Sequence, residues 1–220
     1  PDFNITIKDN GKALKATDKK YYSFNENIEL VVNKISSDIK EICVSLEGSN
    51  TCISKNQNDN YTLDANMKYS ITVRDYSSNE SSNSVELVYV GFDIVSGDDY
   101  KLDDYRQTHT AKVEFNLEDL SSVVNATYKF NSNSYTTVDN SSLINITNNN
   151  LNGIKNLEVK VCMKNDNSYC LTKNKELYFD NLATTSNINV TANENWTNEK
   201  SVTIDVNIAN NQDSSGIVMA

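Results

Sequence analysis

Tyr22-Ser23-Phe24-Asn25-Glu26-Asn27-Ile28-Glu29-Leu30-Val31-Val32-Asn33 aligns without a gap on Tyr105-Arg106-Gln107-Thr108-His109-Thr110-Ala111-Lys112-Val113-Glu114-Phe115-Asn116. Both align on Trp196-Thr197-Asn198-Glu199-Lys200-Ser201-Val202-Thr203-Ile204-Asp205-Val206-Asn207. An aromatic residue opens each segment and Asn closes it. Between them runs an alternating apolar triplet: Ile28/Leu30/Val32, Ala111/Val113/Phe115 and Val202/Ile204/Val206. Side chains of a strand point alternately to its two faces, so each triplet is the inward face of a half-buried strand. In this register Leu30, Val113 and Ile204 are expected inside, with Glu29, Lys112 and Thr203 outside. The spacings of 83 and 91 residues are too long for solenoid units and suit a β-sandwich of roughly 100 residues.

The same period-two pattern marks Tyr69–Val73, Val85–Tyr89 and Leu157–Val161, with Asn/Ser/Asp clusters between them as turn material. Ile39–Ser45 lies opposite Val123–Lys129 in the two copies. No stretch carries apolar residues at helical spacing; Leu117 to Val124 comes nearest and is too short. The expected class is all-β: tandem β-sandwiches, two complete and a third truncated, which the resemblance given below makes Ig-like. The expected boundaries are 1–90, 91–181 and 182–220, with short junctions that lack flexible Gly/Ser tracts. The chain starts at Pro1 and is read as a piece of a longer protein. Residues 182–220, without the rest of their module, are expected to fray.

Composition narrows the function. The 220 residues hold 20 Lys+Arg against 30 Asp+Glu, a formal net charge of −10. A nucleic-acid partner would need the opposite balance. No apolar run reaches the roughly 18 residues of a membrane helix. There is one His, and no phosphate-binding loop, nucleophile elbow or H-E-x-x-H helix. The expectation is a chain with no catalytic residues, no metal ligands and no cofactor, not an enzyme in its own right.

Trp196-Thr197-Asn198, then Ser201-Val202-Thr203-Ile204, then Asp213-Ser214-Ser215-Gly216-Ile217 resemble a pattern in tandem bacterial Ig-like repeats of Gram-positive secreted and cell-surface proteins. Val73-Arg74-Asp75-Tyr76-Ser77-Ser78-Asn79-Glu80-Ser81 resembles that family's penultimate strand and turn, with Ser78 in place of Gly. Copy two departs further, with Cys162-Met163-Lys164-Asn165-Asp166 where the Asp–Asn turn would be. The resemblance implies stalks, spacers and adhesive arrays, or accessory modules beside catalytic domains.

Cys43 and Cys52, like Cys162 and Cys170, flank a turn signal inside an expected hairpin. Neither spacing suits zinc or a redox C-x-x-C, so two local disulfides are expected, and with them an extracellular or cell-surface setting. Asp98, Asp99, Asp103 and Asp104 read as a solvated acidic loop, with calcium as the rival reading. His109 stands opposite Glu26 and Lys200 in the other copies and is expected in solvent. The reading that follows is a non-catalytic stalk or adhesive segment. Its partner would be a surface or matrix ligand, glycan or protein, with no nucleic acid and no membrane insertion. The alternative is a carbohydrate-binding or accessory module of an extracellular enzyme, for which Tyr21, Tyr22, Tyr76, Tyr100 and Tyr105 are the candidate aromatics.

Overall fold

The computed structural model describes residues 1–56, 59–131, 134–139, 141–147 and 150–181. The expected third copy, including Trp196, Val202, Ile204, Val206 and the Asp213–Ile217 pattern, lies outside the described residues. The described part is all-β, apart from a 3-10 turn at Leu120–Ser122. That turn falls in the one stretch whose sequence came nearest to helical spacing. The chain divides into two compact units. Unit 1 holds Pro1–Asp93, Glu114–Thr127 and Lys160–Thr172; unit 2 begins with Ile94–Val113 and Tyr128–Val159 and continues from Lys173.

Unit 1 contains a complete sandwich. Its first sheet has the order β2 (Lys12–Ala13), β1 (Phe3–Asp9), β5 (Asn27–Lys34), β7 (Asn60–Asp64). Its second has the order β3 (Ala16–Thr17), β4 (Lys20–Ser23), β9 (Glu80–Tyr89), β8 (Lys68–Asp75), β6 (Ile39–Leu46). β1 turns into β2 through Asn10-Gly11, both at positive φ (47° and 81°), with Asp9 opposite Lys12. A two-residue turn with positive φ matches the twist of the flanking strands, and Gly adopts it without steric cost. Ile7, Ile28, Leu30, Val32, Tyr61 and Leu63 of the first sheet form one buried cluster with Val44, Tyr69, Ile71, Val73, Val85 and Leu87 of the second. Each such side chain contributes about 1.5–3 kcal/mol when fully buried. Tyr69, at the start of β8, donates its hydroxyl to the Asp64 carbonyl at 3.1 Å and accepts the Asp64 N–H at 2.9 Å. This tyrosine corner is a hallmark of Ig-like sandwiches.

The remaining strands repeat this plan. One sheet has the order β10 (Phe92–Ser96), β11 (Thr108–Phe115), β14 (Leu143–Thr147). The other has β13 (Thr136–Thr137), β12 (Val124–Phe130), β15 (Gly153–Met163), β16 (Asp166–Phe179). Order β10-β11-β14 reproduces β1-β5-β7, and β16-β15-β12 reproduces β9-β8-β6. The correspondence reaches single hydrogen bonds. In unit 1, Ser23 pairs in parallel with Tyr89, and Val90 N–H donates to Ser23 O at 2.7 Å. In unit 2, Arg106 pairs in parallel with Phe179, and Asp180 N–H donates to Arg106 O at 2.9 Å. Ser23 and Arg106 are the residues that the gapless alignment places together.

The register agrees for the described copies: Leu30 and Val113 are buried, Glu29 and Lys112 only partly so. His109 differs from expectation. It is 3% exposed, its Nε2–H donates to Tyr178 O at 2.7 Å, and its ring meets Phe179 edge-on at 4.9 Å. The reason is parity. His109 lies two residues before Ala111, on the inward face of β11, whereas Glu26 precedes the first residue of β5. The aligned column therefore joins a strand position to a turn position.

Leu30→Ala is expected to lose about 2–5 kcal/mol of unfolding free energy, against less than about 1 kcal/mol for Glu29→Ala. Urea denaturation of the two variants checks this, and equal losses would place the strand one residue out of register.

Candidate functional site

The most elaborate polar arrangement in unit 1 begins at the end of β1. Asp9 is 2% exposed, so its carboxylate has lost its water. A buried carboxylate is tolerated only when hydrogen-bonded. Ser23 Oγ donates to Oδ2 at 2.8 Å, Asn25 Nδ2 donates to Oδ1 at 2.6 Å, and the Tyr169 hydroxyl donates to Oδ2. The Tyr169 oxygen in turn accepts the Phe24 N–H at 2.9 Å, and the two rings lie 4.9 Å apart. Burial, and then its bond to Asp9, push the Tyr169 hydroxyl well above the usual phenol range. It therefore stays protonated and remains a donor.

Tyr169 belongs to the tip of the β15–β16 hairpin, and the rest of that tip is also engaged. Asn165 Nδ2 donates to Lys15 O and to Thr17 Oγ1, each at 2.8 Å. Lys12 Nζ lies 3.1 Å from Asp166, donates to Ser168 Oγ at 2.6 Å, and sits 5.5 Å from the Tyr169 ring centre. The Ser168 hydroxyl, followed by Lys12, holds the Asp166 carboxyl down to about 2.

A second arrangement in unit 1 fixes Tyr89–Phe92. Val90, Gly91 and Phe92 are all buried. Asn116 Oδ1 accepts the Gly91 N–H at 2.7 Å, Asn116 Nδ2 donates to Tyr89 O at 3.1 Å, and Asn116 N–H donates to Gly91 O at 3.1 Å. A Cβ on Gly91 would lie 2.9–3.1 Å from the Tyr89 ring and hydroxyl, so the Tyr89 side chain would have to shift to admit one. Asn116 is the closing Asn of the repeat motif. Its counterpart Asn33 makes a single exposed bond, from Nδ2 to Thr6 Oγ1 at 3.2 Å.

The four cysteines fall into two pairs at disulfide distance. The Cα atoms of Cys43 and Cys52 are 5.1 Å apart, and those of Cys162 and Cys170 are 4.0 Å apart. β6, which bears Cys43, is the last strand of its sheet. Beside it Ile53 N–H donates to Val44 O at 2.6 Å, so the first pair ties a covering segment to a sheet edge. Unprotected edges are the places where sheets recruit other chains.

The remaining sequence candidates are placed as follows. In the acidic loop of unit 2, Asp98 Oδ1 accepts the Tyr100 N–H and Asp104 Oδ2 accepts the Lys101 N–H, each at 3.0 Å. Among the described residues no group of three or more His, Cys, Asp or Glu could hold a metal ion, and no helix is long and apolar enough to cross a membrane. Of the aromatics, Tyr76, Tyr100 and Tyr105 are exposed, while Tyr21 and Tyr22 are half-buried. The Tyr100 ring has the Arg106 guanidinium stacked on it at 3.3 Å, and Tyr105 meets Tyr178 edge-on at 5.2 Å. Asp9 and Tyr169 were not apparent from the sequence, because nothing local marks a partner about 160 residues away.

No family model and no curated protein matches the chain. Among solved structures it is similar to the fibronectin(III)-like modules of Clostridium thermocellum CbhA, at 8% identity and TM-score 0.38, covering 80% of this chain and 94% of that one. It is also similar to a tetra-tandem repeat from the extending region of a large adhesion protein, at 15% identity and TM-score 0.26, covering 82% of this chain and 50% of that one. A third likeness is to a 1.5-MDa bacterial ice-binding adhesin, from a study of its retention at the host cell surface. There the identity is 14% and the TM-score 0.30, covering 86% of this chain and 68% of that one.

Tyr169→Phe removes the hydroxyl that joins Asp9 to the Phe24 amide. It should cost about 1–3 kcal/mol, as expected when buried polar groups lose a partner. Thermal unfolding of the variant checks this. The bonds to Asp166, those of Ser168 ahead of that of Lys12, make a small acid-sensitive contribution. Because the folded carboxyl is depressed, its contribution is fully present above the free value of 3.8 and is lost as the pH falls through about 2. Denaturant titrations between those values should show this limb in the parent chain and not in Asp166→Asn.

Proposed function

We propose that this chain is a non-catalytic, stiff spacer of tandem Ig-like repeats, with repeat boundaries near residues 90 and 181. It would belong to a secreted or surface-anchored bacterial protein whose partner is a surface or matrix ligand, glycan or protein. The observation that carries this reading is the double fixation in unit 1. Val90–Phe92 is buried and Asn116 bonds to Tyr89 and Gly91, while the hairpin tip bearing Tyr169 is seated on Asp9. On the proposed boundaries both features belong to a junction between repeats. A spacer that transmits position needs such a junction to resist bending, and a linker held at two places loses the freedom that a Gly/Ser chain keeps. Cys43–Cys52 and Cys162–Cys170 as disulfides fit an oxidising, extracellular setting.

Spin labels on the exposed Thr62 and Lys175 give the test. The full chain is expected to show one narrow distance distribution, and the double variant Tyr169→Ala/Asn116→Ala a broad one. A parent chain as broad as the variant would refute the stiff spacer. Non-reducing peptide mapping should recover Cys43 joined to Cys52 and Cys162 joined to Cys170. A peptide that joins one pair to the other would refute the local pairing.

A further inference from the structure

The hairpin residues that touch β1–β4 and their connecting turns are Asn165, Asp166, Ser168 and Tyr169. All four lie inside the segment enclosed by Cys162 and Cys170. Tyr169 is the immediate neighbour of Cys170, so the covalent ring and the seated surface coincide. Without the ring, Asn165–Tyr169 would be the tip of a long hairpin in which Ser168 bonds to Asp166 while Asn165 and Tyr169 face a neighbour. Ordering such a tip costs conformational entropy at each residue. A closed ring has fewer conformations to lose. Both cysteines are half-buried rather than sealed, so a reductant can reach the pair.

We propose that the Cys162–Cys170 disulfide is a latch that positions Tyr169 on Asp9, so that reduction of this one bond loosens the seat while leaving both sandwiches folded. The inference rests on the reading of that seat as the stiff junction. The chemistry is thiol–disulfide exchange with a dithiol reductant. One reductant thiolate attacks a sulfur of the pair, breaks the S–S bond and forms a mixed disulfide. The second reductant thiolate then displaces the chain's sulfur. The reductant ends as a disulfide, and the chain gains two electrons and two protons as two thiols. Tyr169 acts through its position and takes no part in the exchange.

The Phe24 amide reads the seat directly, because its N–H is bonded to the Tyr169 hydroxyl at 2.9 Å. Amide exchange is followed by NMR on the full chain. The samples are the oxidised parent, the parent reduced with dithiothreitol, Cys162→Ser/Cys170→Ser with Cys43–Cys52 intact, and Tyr169→Phe as the reference for a lost seat. The Leu30 amide, in the central strand β5, reports the fold. Protection at Phe24 should fall about tenfold or more in the reduced parent and in the double serine variant, to the Tyr169→Phe level, with Leu30 still protected. Protection at Phe24 within about twofold of the oxidised parent in the double serine variant would overturn the latch. Loss at Leu30 as well would also overturn it, making the disulfide a general staple. A Phe24 amide already unprotected in the oxidised parent would instead refute the seat itself and the stiff-junction reading with it.

Discussion

A carboxylate taken out of water constrains everything around it. Asp9 ends β1 and is 2% exposed, so its charge must be met by donors fixed in place. Ser23 and Asn25 come from the segment that opens the repeat, and Tyr169 comes from the β15–β16 hairpin. Removing any one leaves a buried anion short of a partner, which costs more than the bond contributes while intact. The end of β1, the turn after β4 and the hairpin tip therefore hold together. Phe24 adds an apolar share by packing its buried ring on Tyr169. The Lys12–Asp166 pair at the edge of this cluster is partly exposed. Pairs of that kind are worth little and are screened by salt. The pair orients the tip; the Asp9 bonds hold it.

Asn116 shows how a repeated residue acquires unequal work. The motif places Asn after the apolar triplet in every copy; in the two described copies it lies near the end of β5 and directly after β11. At Asn33 it meets only Thr6, at an exposed site. At Asn116 the same side chain is presented to a buried backbone segment and makes two bonds to Tyr89 and Gly91. The Gly91 amide would otherwise be short of a partner beside buried Val90, and buried backbone groups must be paired. Gly91 leaves space for the Tyr89 ring to lie against that segment. The side chain that satisfies the linker is thus supplied by a position the repeat already contained.

Much of the fold was legible because strand periodicity is strict. Inward and outward residues alternate, so Leu30 and Val113 followed from the triplets, and the gapless alignment held to the Ser23–Val90 and Arg106–Asp180 hydrogen bonds. For His109, comparison across the copies points to solvent, whereas parity from Ala111 along β11 gives the buried position. Tyr69 carries a local signal of its corner: a Tyr opening a strand, five residues after Asp64. The seat of Tyr169 could not be read. Alternation assigns a side chain to a face, but it does not say which distant segment covers that face. Tyr76 illustrates this. It too lies at a hairpin tip, yet it is 73% exposed.

The two equivalent hairpins are held by different chemistry, and the difference follows from what their side chains must do. In the β8–β9 hairpin, Asp75 accepts the N–H groups of Ser77 and Asn79 at 2.8 Å, and Asn79 Nδ2 at 2.8 Å. These bonds, with that of the Asn79 side chain foremost, hold the Asp75 carboxyl below its ordinary range. They also fix the turn tightly enough for Ser78 to sit at φ 66° where glycine would be unstrained. Arg74 pairs with Glu80 across the strands. The Asp75 bonds stay within the hairpin, while Arg74 also reaches Glu41 on β6 at 3.2 Å. In the β15–β16 hairpin, Asn165 and Tyr169 are turned towards Lys15, Thr17 and Asp9, and Asp166 divides its oxygens between Ser168 and Lys12. Bracing from within comes from Ser168, whose N–H and hydroxyl donate to Asp166 Oδ1 at 3.0 and 2.7 Å. The proposed bond between Cys162 and Cys170, whose Cα atoms are 4.0 Å apart, would add bracing without using a hydrogen-bonding side chain, which leaves the tip free to be a contact surface.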